Sequence, residues 1–541
     1  MRVTRVPVLI VGAGAGGLST SALLAKRGVR SLLVEKRDEV FIYPKARNLS
    51  FRSLEILREL GLADEVHAVA DGVSSMLGKP TLSSTEEWEA FDADVLFSPF
   101  EGLSPEPAGQ YCPQSAFEPM LLAHIRRHHS QARYGTELCS FEQDDTGITA
   151  IVRERDSGAS ETVRAEYLVA ADGLHSPIRQ ALGVTTSGYG ALPIYVVFIY
   201  FRAPWRKFVP QLGDGDAVQV KAADVDGIFL PVREDFGMFI TTYFPDSGET
   251  AAAFTAQRCR ELLTKAIGEP IDVEIIDVAP WQPYEQVANQ FQSGRVFLVG
   301  DSAHTMPPFK AGGANTAIQS AHNLAWKLVA VLNGMADPAL LATYHAERHP
   351  VGLFNARQSL TGPSHAFLRL DDNRPQLPAD EEAPMFAVLI GYQYRSAAVI
   401  FDDVGPTNPD AISLVQELRA QPGTRVPHAW VHRAGRRIST LDLVGPGFTL
   451  FTGSSGASWA SAADALSTRL NVPISVHSIA IGTDSEIRDI EGSWTELTGL
   501  MSDEALLVRP DGFVAWRTGA LLPSPEDRLG QVLGQILGRG Q

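Results

Sequence analysis

At 541 residues the chain has room for about two to four domains of the usual size. Hydrophobic residues make up 45% and charged residues 20%, ordinary globular usage that excludes a disordered, collagen-like or fibrous protein. With 46 Lys and Arg against 63 Asp and Glu the net charge is −17, a sign that repels nucleic acid and anionic membrane.

The chain opens with Val8-Leu-Ile-Val11, a continuous apolar run ending at glycines, which predicts a strand buried on both faces in a parallel sheet. A helix over Ala15–Arg27 follows and closes near Gly28, and Ser31–Val34 reads as a second buried strand, so the start is a βαβ unit. The stretch Val6–Ala25 imitates a signal peptide or membrane span, but its glycines and Ser19-Thr-Ser21 break the run of about 20 apolar residues that a span needs. Far downstream, Tyr167–Ala170 and Val296–Val299 each end at an Asp beside a Gly, so strand tips from three distant places converge. Residues 186–285 change to alternating β-branched and aromatic stretches such as Val196–Phe201 and Met238–Tyr243, the pattern of an inserted antiparallel sheet.

Residues 315–333 place Ile318, Ala321, Leu324, Leu328 and Val331 at helical spacing and stop at Gly334, which predicts a long buried helix. The acidic stretch Asp371–Pro384 reads as a solvated loop. Beyond about residue 400, runs at Phe448–Phe451 and Ala505–Val508 predict a separate C-terminal domain. Cys112, Cys139 and Cys259 cannot frame a disulfide scaffold and form no C-x-x-C pair, which fits a reducing cytoplasm.

The run Gly12-Ala-Gly14-Ala-Gly-Gly17 directly after a buried strand has glycine where dinucleotide chemistry needs it: one for the tight turn, one for backbone approach to a pyrophosphate, one for helix–sheet packing. The pyrophosphate then sits on a helix N-terminus, and Glu35, closing the second strand, can accept from ribose hydroxyls. NAD and FAD both satisfy this motif. Downstream, Gly300-Asp301 ends a strand ahead of Pro308 and Gly312-Gly-Ala-Asn315 at the start of the long helix. Amides there can stabilise negative charge on a reduced flavin, and Asp301 can accept from a ribityl hydroxyl.

Two other chemistries are weighed. Asp301, Ser302 and His304 invite a hydrolase reading, but three neighbours on one loop cannot supply nucleophile, base and orienter, and no G-x-S-x-G elbow exists. The pairs His345/His349 and His124/His128 could each share a helix face as metal ligands, yet neither is H-E-x-x-H, and solvated helix faces are the expectation, with no metal.

Taken together, Gly12–Gly17, Asp172-Gly173 with Ser176 and Arg179, and Gly300-Asp301 with Pro308 resemble the class A FAD-dependent aromatic monooxygenases, in particular the phenol and aromatic polyketide hydroxylases. Arg47 in Lys45-Ala-Arg47 and Gln114 in Cys112-Pro-Gln114 look like the family's flavin-contacting pair. The resemblance implies an α/β fold: a Rossmann-like FAD-binding domain (1–75, 106–185, 286–400), an inserted antiparallel-sheet substrate domain (76–105, 186–285), and a thioredoxin-like C-terminal domain (401–541) without a redox dithiol. Pro427–Trp430, Ser439–Leu443 and Val508–Trp516 carry the last likeness.

It also implies FAD contacts from Gly12, Gly14, Ala15, Gly17, Glu35, Lys36, Arg47, Gln114, Asp172, Gly300, Asp301, Pro308, Gly312, Gly313, Ala314 and Asn315. Phe229, Phe239, Tyr243, Trp281 and Phe309 are the candidate lining of an aromatic pocket, with core packing as the alternative. Departures from the family pattern are Lys310 and Ala311 in place of glycines and Ser320 where an Asp is common; Lys310 is expected to face substrate or solvent. The implied reaction is hydroxylation of an aromatic small molecule with NAD(P)H and O2 through a flavin C4a-hydroperoxide. A Baeyer–Villiger oxygenase or an FAD-dependent reductase is the alternative, and a homo-oligomer is allowed. No catalytic side chain is singled out, because the flavin carries the oxygen chemistry.

Overall fold

The computed structural model describes residues 3–40, 46–69, 72, 75–92, 97–222, 225–310, 312–361, 380–401, 411–481, 486–518 and 524–539. Apolar runs without alternation form the centre of the first sheet: Val3–Val11 lies parallel between Ser31–Val34 and Ser160–Ala170, and Val296–Leu298 continues beyond the latter. Val8, Leu9 and Ile10 are fully buried because helices cover the sheet, which is why neither face reads as polar. Val11 is level with Ala170, and Ala170 with Leu298, so the loops that follow these strands emerge side by side.

Helix Ala15–Lys26 packs along the 21-residue helix Gly312–Leu332. The latter begins three residues ahead of the predicted 315–333, since its first residues are glycine and alanine, which carry no periodic signal. Among the described residues no helix is long and apolar enough to cross a membrane.

A second, seven-stranded sheet has the order Glu274–Trp281, Val196–Arg202, Phe236–Thr242, Val225–Arg233, Ala217–Ala222, Met76–Lys79, Trp88–Phe91. Helix Ala256–Ile267 covers one face. Thr255 caps its start by accepting from the Arg258 amide, Gly268 ends it at φ 84°, and Cys259, Leu263, Ala266 and Ile267 form its buried stripe. That stripe meets Val225, Phe229 and Phe239. The opposite face presents Ile228, Leu230, Met238 and Ile240 toward Leu360, just beyond helix Ala342–Gln358.

The C-terminal sheet pairs Phe448–Thr452 in parallel with Ile474–Ala480 and antiparallel with Ala505–Val508. It is locked to the first unit by buried charge. Arg509 donates to both carboxylate oxygens of Glu347 (2.6 and 3.0 Å) and to Asp511 (2.6 and 3.0 Å), while Lys327 reaches Glu347 at 2.8 Å and Trp326 reaches Asp511 at 3.1 Å. Burial would push the Glu347 carboxyl up, but the Arg509 and Lys327 charges hold it far below the usual range. Burial pushes Lys327 down to about 8 against the pull of Glu347. The C-terminal unit thus grips the same helix whose first turn faces the strand ends.

Candidate functional site

The glycine loop divides into positions that the fold demands and one that it does not. Gly12 sits at φ 107°, and a Cβ there would lie 2.1 Å from the Ala171 carbonyl oxygen. A Cβ on Gly17 would lie 1.9 Å from the Gly12 carbonyl oxygen. Gly14, at φ −86°, would meet nothing within 4 Å, so its lack of a side chain keeps open the space in front of the helix. No side chain caps that helix, and its first-turn amides have no intrahelical acceptor. Gly16, which the fingerprint does not single out, lets the Gly300 loop approach: its Cβ would come within 3.0 Å of Val299 and 3.4 Å of the Gly300 amide.

Glu35 ends the second strand with its carboxylate buried. Oε2 accepts from the Ala13 amide at 2.7 Å, and Oε1 from the Arg37 amide and Nε, each at 3.0 Å. Burial pushes this carboxyl up, but the Arg37 hydrogen bond, the two amides and the Arg37 charge together hold it below the usual carboxylate range. Arg37 is thus a further member of the site, and its spacing of two from Glu35 is the only trace of it in the sequence. Lys36 between them is exposed, and its carbonyl accepts from Arg155.

The Cys112 amide donates to the Arg47 carbonyl and the Gln114 backbone amide to the Ala46 carbonyl, each at 2.9 Å, which extends the strand pair Asn48–Ser50 and Gly109–Tyr111 and sets Arg47, just ahead of one strand, beside Gln114, the first residue of helix Gln114–Arg127. The Arg47 guanidinium lies over Tyr111 and donates to the Gly215 and Asp216 carbonyls, at the root of the second sheet; burial lowers its pKa. The Gln114 amide donates 2.6 Å to Glu118. Asn315 joins this strand pair to the long helix, accepting from the Ser50 amide at 3.0 Å.

At the other two strand ends, Asp172 accepts from Ser176 Oγ (2.6 Å) and the Ile178 amide (3.1 Å), capping a short helix. Burial raises its pKa. Arg179 then donates 2.8 Å to the Ser302 carbonyl, tying this turn to the Gly300-Asp301 loop. Gly300 is at φ 70° and Asp301 is exposed at the mouth. His304 is fully buried, 3.3 Å from Ser320 Oγ, which Arg348 also reaches at 3.1 Å. Burial and the Arg348 charge push His304 down to about 3, so it is neutral. Pro308 lies in the turn ahead of the long helix, whose Gly312 is buried and whose Gly313 and Ala314 are half-buried.

Three sequence expectations are corrected here. Lys310 does not point into solvent: it is buried, and Nζ donates 2.9 Å to Thr361 and 2.9 Å to Glu382. This pairing, with Gln358 bonded to the Ala383 amide and the Glu381 carbonyl, tethers residues 380–384 of the acidic stretch, which are largely exposed; residues 371–379 lie outside the described ones. Phe229, Phe239 and Tyr243 pack behind the sheet against helix Ala256–Ile267, with Phe229 stacked on Trp205 at 5.7 Å, because both faces of these strands are apolar. Trp281, by contrast, packs on the opposite face, stacked on Phe198 at 5.6 Å. The side chain of Phe309 lies outside the described residues. His124 and His349 are buried, not solvated. Among the described residues no three His, Cys, Asp or Glu side chains are arranged to hold a metal.

An uncapped helix start, an open position at Gly14 and a buried carboxylate at the neighbouring strand end fit the pyrophosphate and ribose of an adenine dinucleotide. Comparison with known proteins agrees. Residues 5–359 match the family model described as "FAD binding domain", and residues 419–540 the model "Aromatic-ring hydroxylase, C-terminal". Tetracenomycin A2 monooxygenase-dioxygenase of Streptomyces glaucescens is 36% identical over 100% of this chain and 98% of its own. Aklavinone 12-hydroxylase of Streptomyces purpurascens is 36% identical over 99% of each chain. The crystal structure of aklavinone-11 hydroxylase with FAD and aklavinone covers 100% of both chains at 34% identity, with a TM-score of 0.87.

Proposed function

Since the chain belongs to the class A FAD-dependent aromatic monooxygenases and is an FAD-binding enzyme, we propose that it hydroxylates a polycyclic, polyketide-type phenol with NAD(P)H and O2. The observation that carries the reading is the convergence of the Gly12, Asp172 and Gly300 loops at level strand ends, in a chain similar throughout to enzymes named for tetracenomycin and aklavinone. Bound in that cleft, FAD supplies the acceptance of hydride and the activation of O2.

The residues divide the remaining work. Gly12, Gly14, Ala15 and Gly17 receive the pyrophosphate on the helix start, and Glu35, oriented by Arg37 and Ala13, accepts from the adenosine ribose. Asp301 accepts from the ribityl chain. The amides from Gly312 to Asn315, at a helix N-terminus that carries about half a positive charge, would stabilise negative charge on the reduced flavin. Arg47 and Gln114 hold the cleft from the strand pair beside it. The aromatic substrate lies between this cleft and the sheet face bearing Ile228, Leu230, Met238 and Ile240. Water exclusion by that face protects the oxygen transfer. In this division residues 1–75, 106–185 and 286–400 bind FAD, 76–105 and 186–285 carry the substrate, and 401–541 brace the flavin-facing helix.

Stopped-flow reduction of the holoenzyme by NADPH and NADH, with a panel of polycyclic phenols, tests the reading. A phenol that accelerates flavin reduction and is recovered hydroxylated is expected. Reduction indifferent to every aromatic, with hydride passed to an organic acceptor and no O2 consumed, would identify a reductase instead.

A further inference from the structure

Strand Val225–Arg233 is regular from Val225 to Leu230, its register shift coming only between Pro231 and Arg233. Its residues therefore alternate strictly between the two faces of the sheet. Val225 and Phe229 belong to the core beneath helix Ala256–Ile267, and Ile228 and Leu230 to the opposite face, which packs toward Leu360 and which the proposed function gives to the substrate. Asp226 is in phase with Ile228 and Leu230. An acidic residue thus lies on a wall that includes Met238, Ile240 and the Phe198–Trp281 stack, with Gln219 and Lys221 at its edge strand.

The carboxylate is not committed to the fold. Its Oδ1 is buried and has no hydrogen-bond partner among the described residues, a condition that few native polar groups tolerate without a reason. Thr241 donates to the Asp226 backbone carbonyl, not to the side chain. On the neighbouring strand Ala217–Ala222 the residue opposite Asp226 is Lys221, which is exposed. Burial outweighs the Lys221 charge and the Gly227 amide and pushes the carboxyl up to about 6.

Ionised, a carboxylate only accepts hydrogen bonds. A ligand that satisfies the buried oxygen must bring a donor, and on a mainly apolar wall given to the substrate of an aromatic-ring hydroxylase the matching donor is a phenolic hydroxyl. Resting on the proposed function, we infer that Asp226 is a specificity-determining residue, whose carboxylate accepts the hydroxyl of the bound polycyclic phenol and so discriminates it from the corresponding ether.

The test is calorimetric titration of the oxidised holoenzyme with 2-naphthol and 2-methoxynaphthalene. Wild type is expected to prefer the naphthol by about tenfold or more, the worth of a charge-assisted hydrogen bond, with the preference shrinking as pH falls through about 6. Asp226→Leu is expected to abolish the preference. Asp226→Asn, which keeps an acceptor of the same shape but does not titrate, is expected to retain a smaller preference with no dependence on pH. Both variants should melt close to wild type, because the buried Oδ1 has no partner to lose and the Gly227 amide and the exposed Lys221 are the groups that act on the carboxylate. Equal binding of both compounds by wild type, or a full preference in Asp226→Leu, would overturn the assignment while leaving the aromatic reading intact; if Asp226→Leu fails to fold, a pH-dependent preference in Asp226→Asn overturns it. Failure of wild type to bind either compound would overturn the aromatic reading and this inference with it.

Discussion

Alanine at each of three glycines in one six-residue loop should have opposite consequences. At Gly12 the backbone stands at φ 107°, and the new methyl would sit 2.1 Å from a backbone oxygen. The conformational strain alone costs about 1–3 kcal/mol, and moving the Ala171 loop adds to it. Gly17→Ala puts the methyl 1.9 Å from the Gly12 oxygen, an overpacking that costs about 1–3 kcal/mol. Gly14→Ala differs, because φ is −86° and no atom lies within 4 Å. Its apoprotein should be unchanged or more stable by about 0.4–1 kcal/mol through the stiffer unfolded chain. The same methyl stands where the pyrophosphate approaches the backbone, and a tenfold loss of FAD affinity corresponds to about 1.4 kcal/mol. Urea midpoints of the deflavinated proteins, paired with FAD titrations by flavin fluorescence, separate the two effects. An apo Gly14→Ala protein as unstable as Gly17→Ala, or one that binds FAD like wild type, would refute the assignment of that open space to the cofactor.

Arg509→Met should cost about 3–5 kcal/mol in chemical denaturation, because it strands the Asp511 carboxylate without its cation in a fully buried site. Adding Asp511→Asn should restore part of that loss, and a neutral Arg509→Met would show that the network does not join the C-terminal unit to the helix. Lys310→Met should change global stability by no more than about 1 kcal/mol, since Glu382 is half exposed, yet speed hydrogen exchange at residues 381–385; unchanged exchange would mean that Gln358 alone holds the segment. On the acid side, burial pushes His304 down to about 3 and His124 and His428 down to about 4, so below pH 6.5 the unfolded chain binds protons that the folded chain refuses. Asp226, pushed up to about 6, opposes this with one proton. Stability should therefore fall as pH drops from 6.5 toward 4.5, with His322 and His477, also pushed down by burial, adding in the same direction; a flat or rising profile in thermal melts would contradict it.

The cleft was legible where local chemistry and chain order coincide. A strand that stops at a glycine fingerprint, and two more that stop at Gly-Asp or Asp-Gly, announce themselves because each run is apolar on both faces and each tip needs backbone freedom. The second sheet was legible as a sheet but not as to its faces. Phe229 and Ile228 are equally apolar, and only the seat of helix Ala256–Ile267 decides which of them it covers and which faces the other way. Partners far away in the chain left no trace: Lys310 pairs with Glu382 across 72 residues and Arg509 with Glu347 across 162. The sequence shows each of these only as one more charge. Gly16 was invisible for another reason, because its constraint comes from the Gly300 loop and not from the turn in which it sits.

On the proposed function, this enzyme transfers an oxygen atom from O2 to an aromatic ring. Turnover of the holoenzyme under 18O2 with NAD(P)H and a polycyclic phenol that accelerates flavin reduction, followed by mass spectrometry of the product, tests it most directly. The account predicts one labelled oxygen in the product for each NAD(P)H consumed in coupled turnover, none derived from water, and the carbon skeleton of the ring intact. Product without label, or label carried in a ring-expanded lactone, would contradict it.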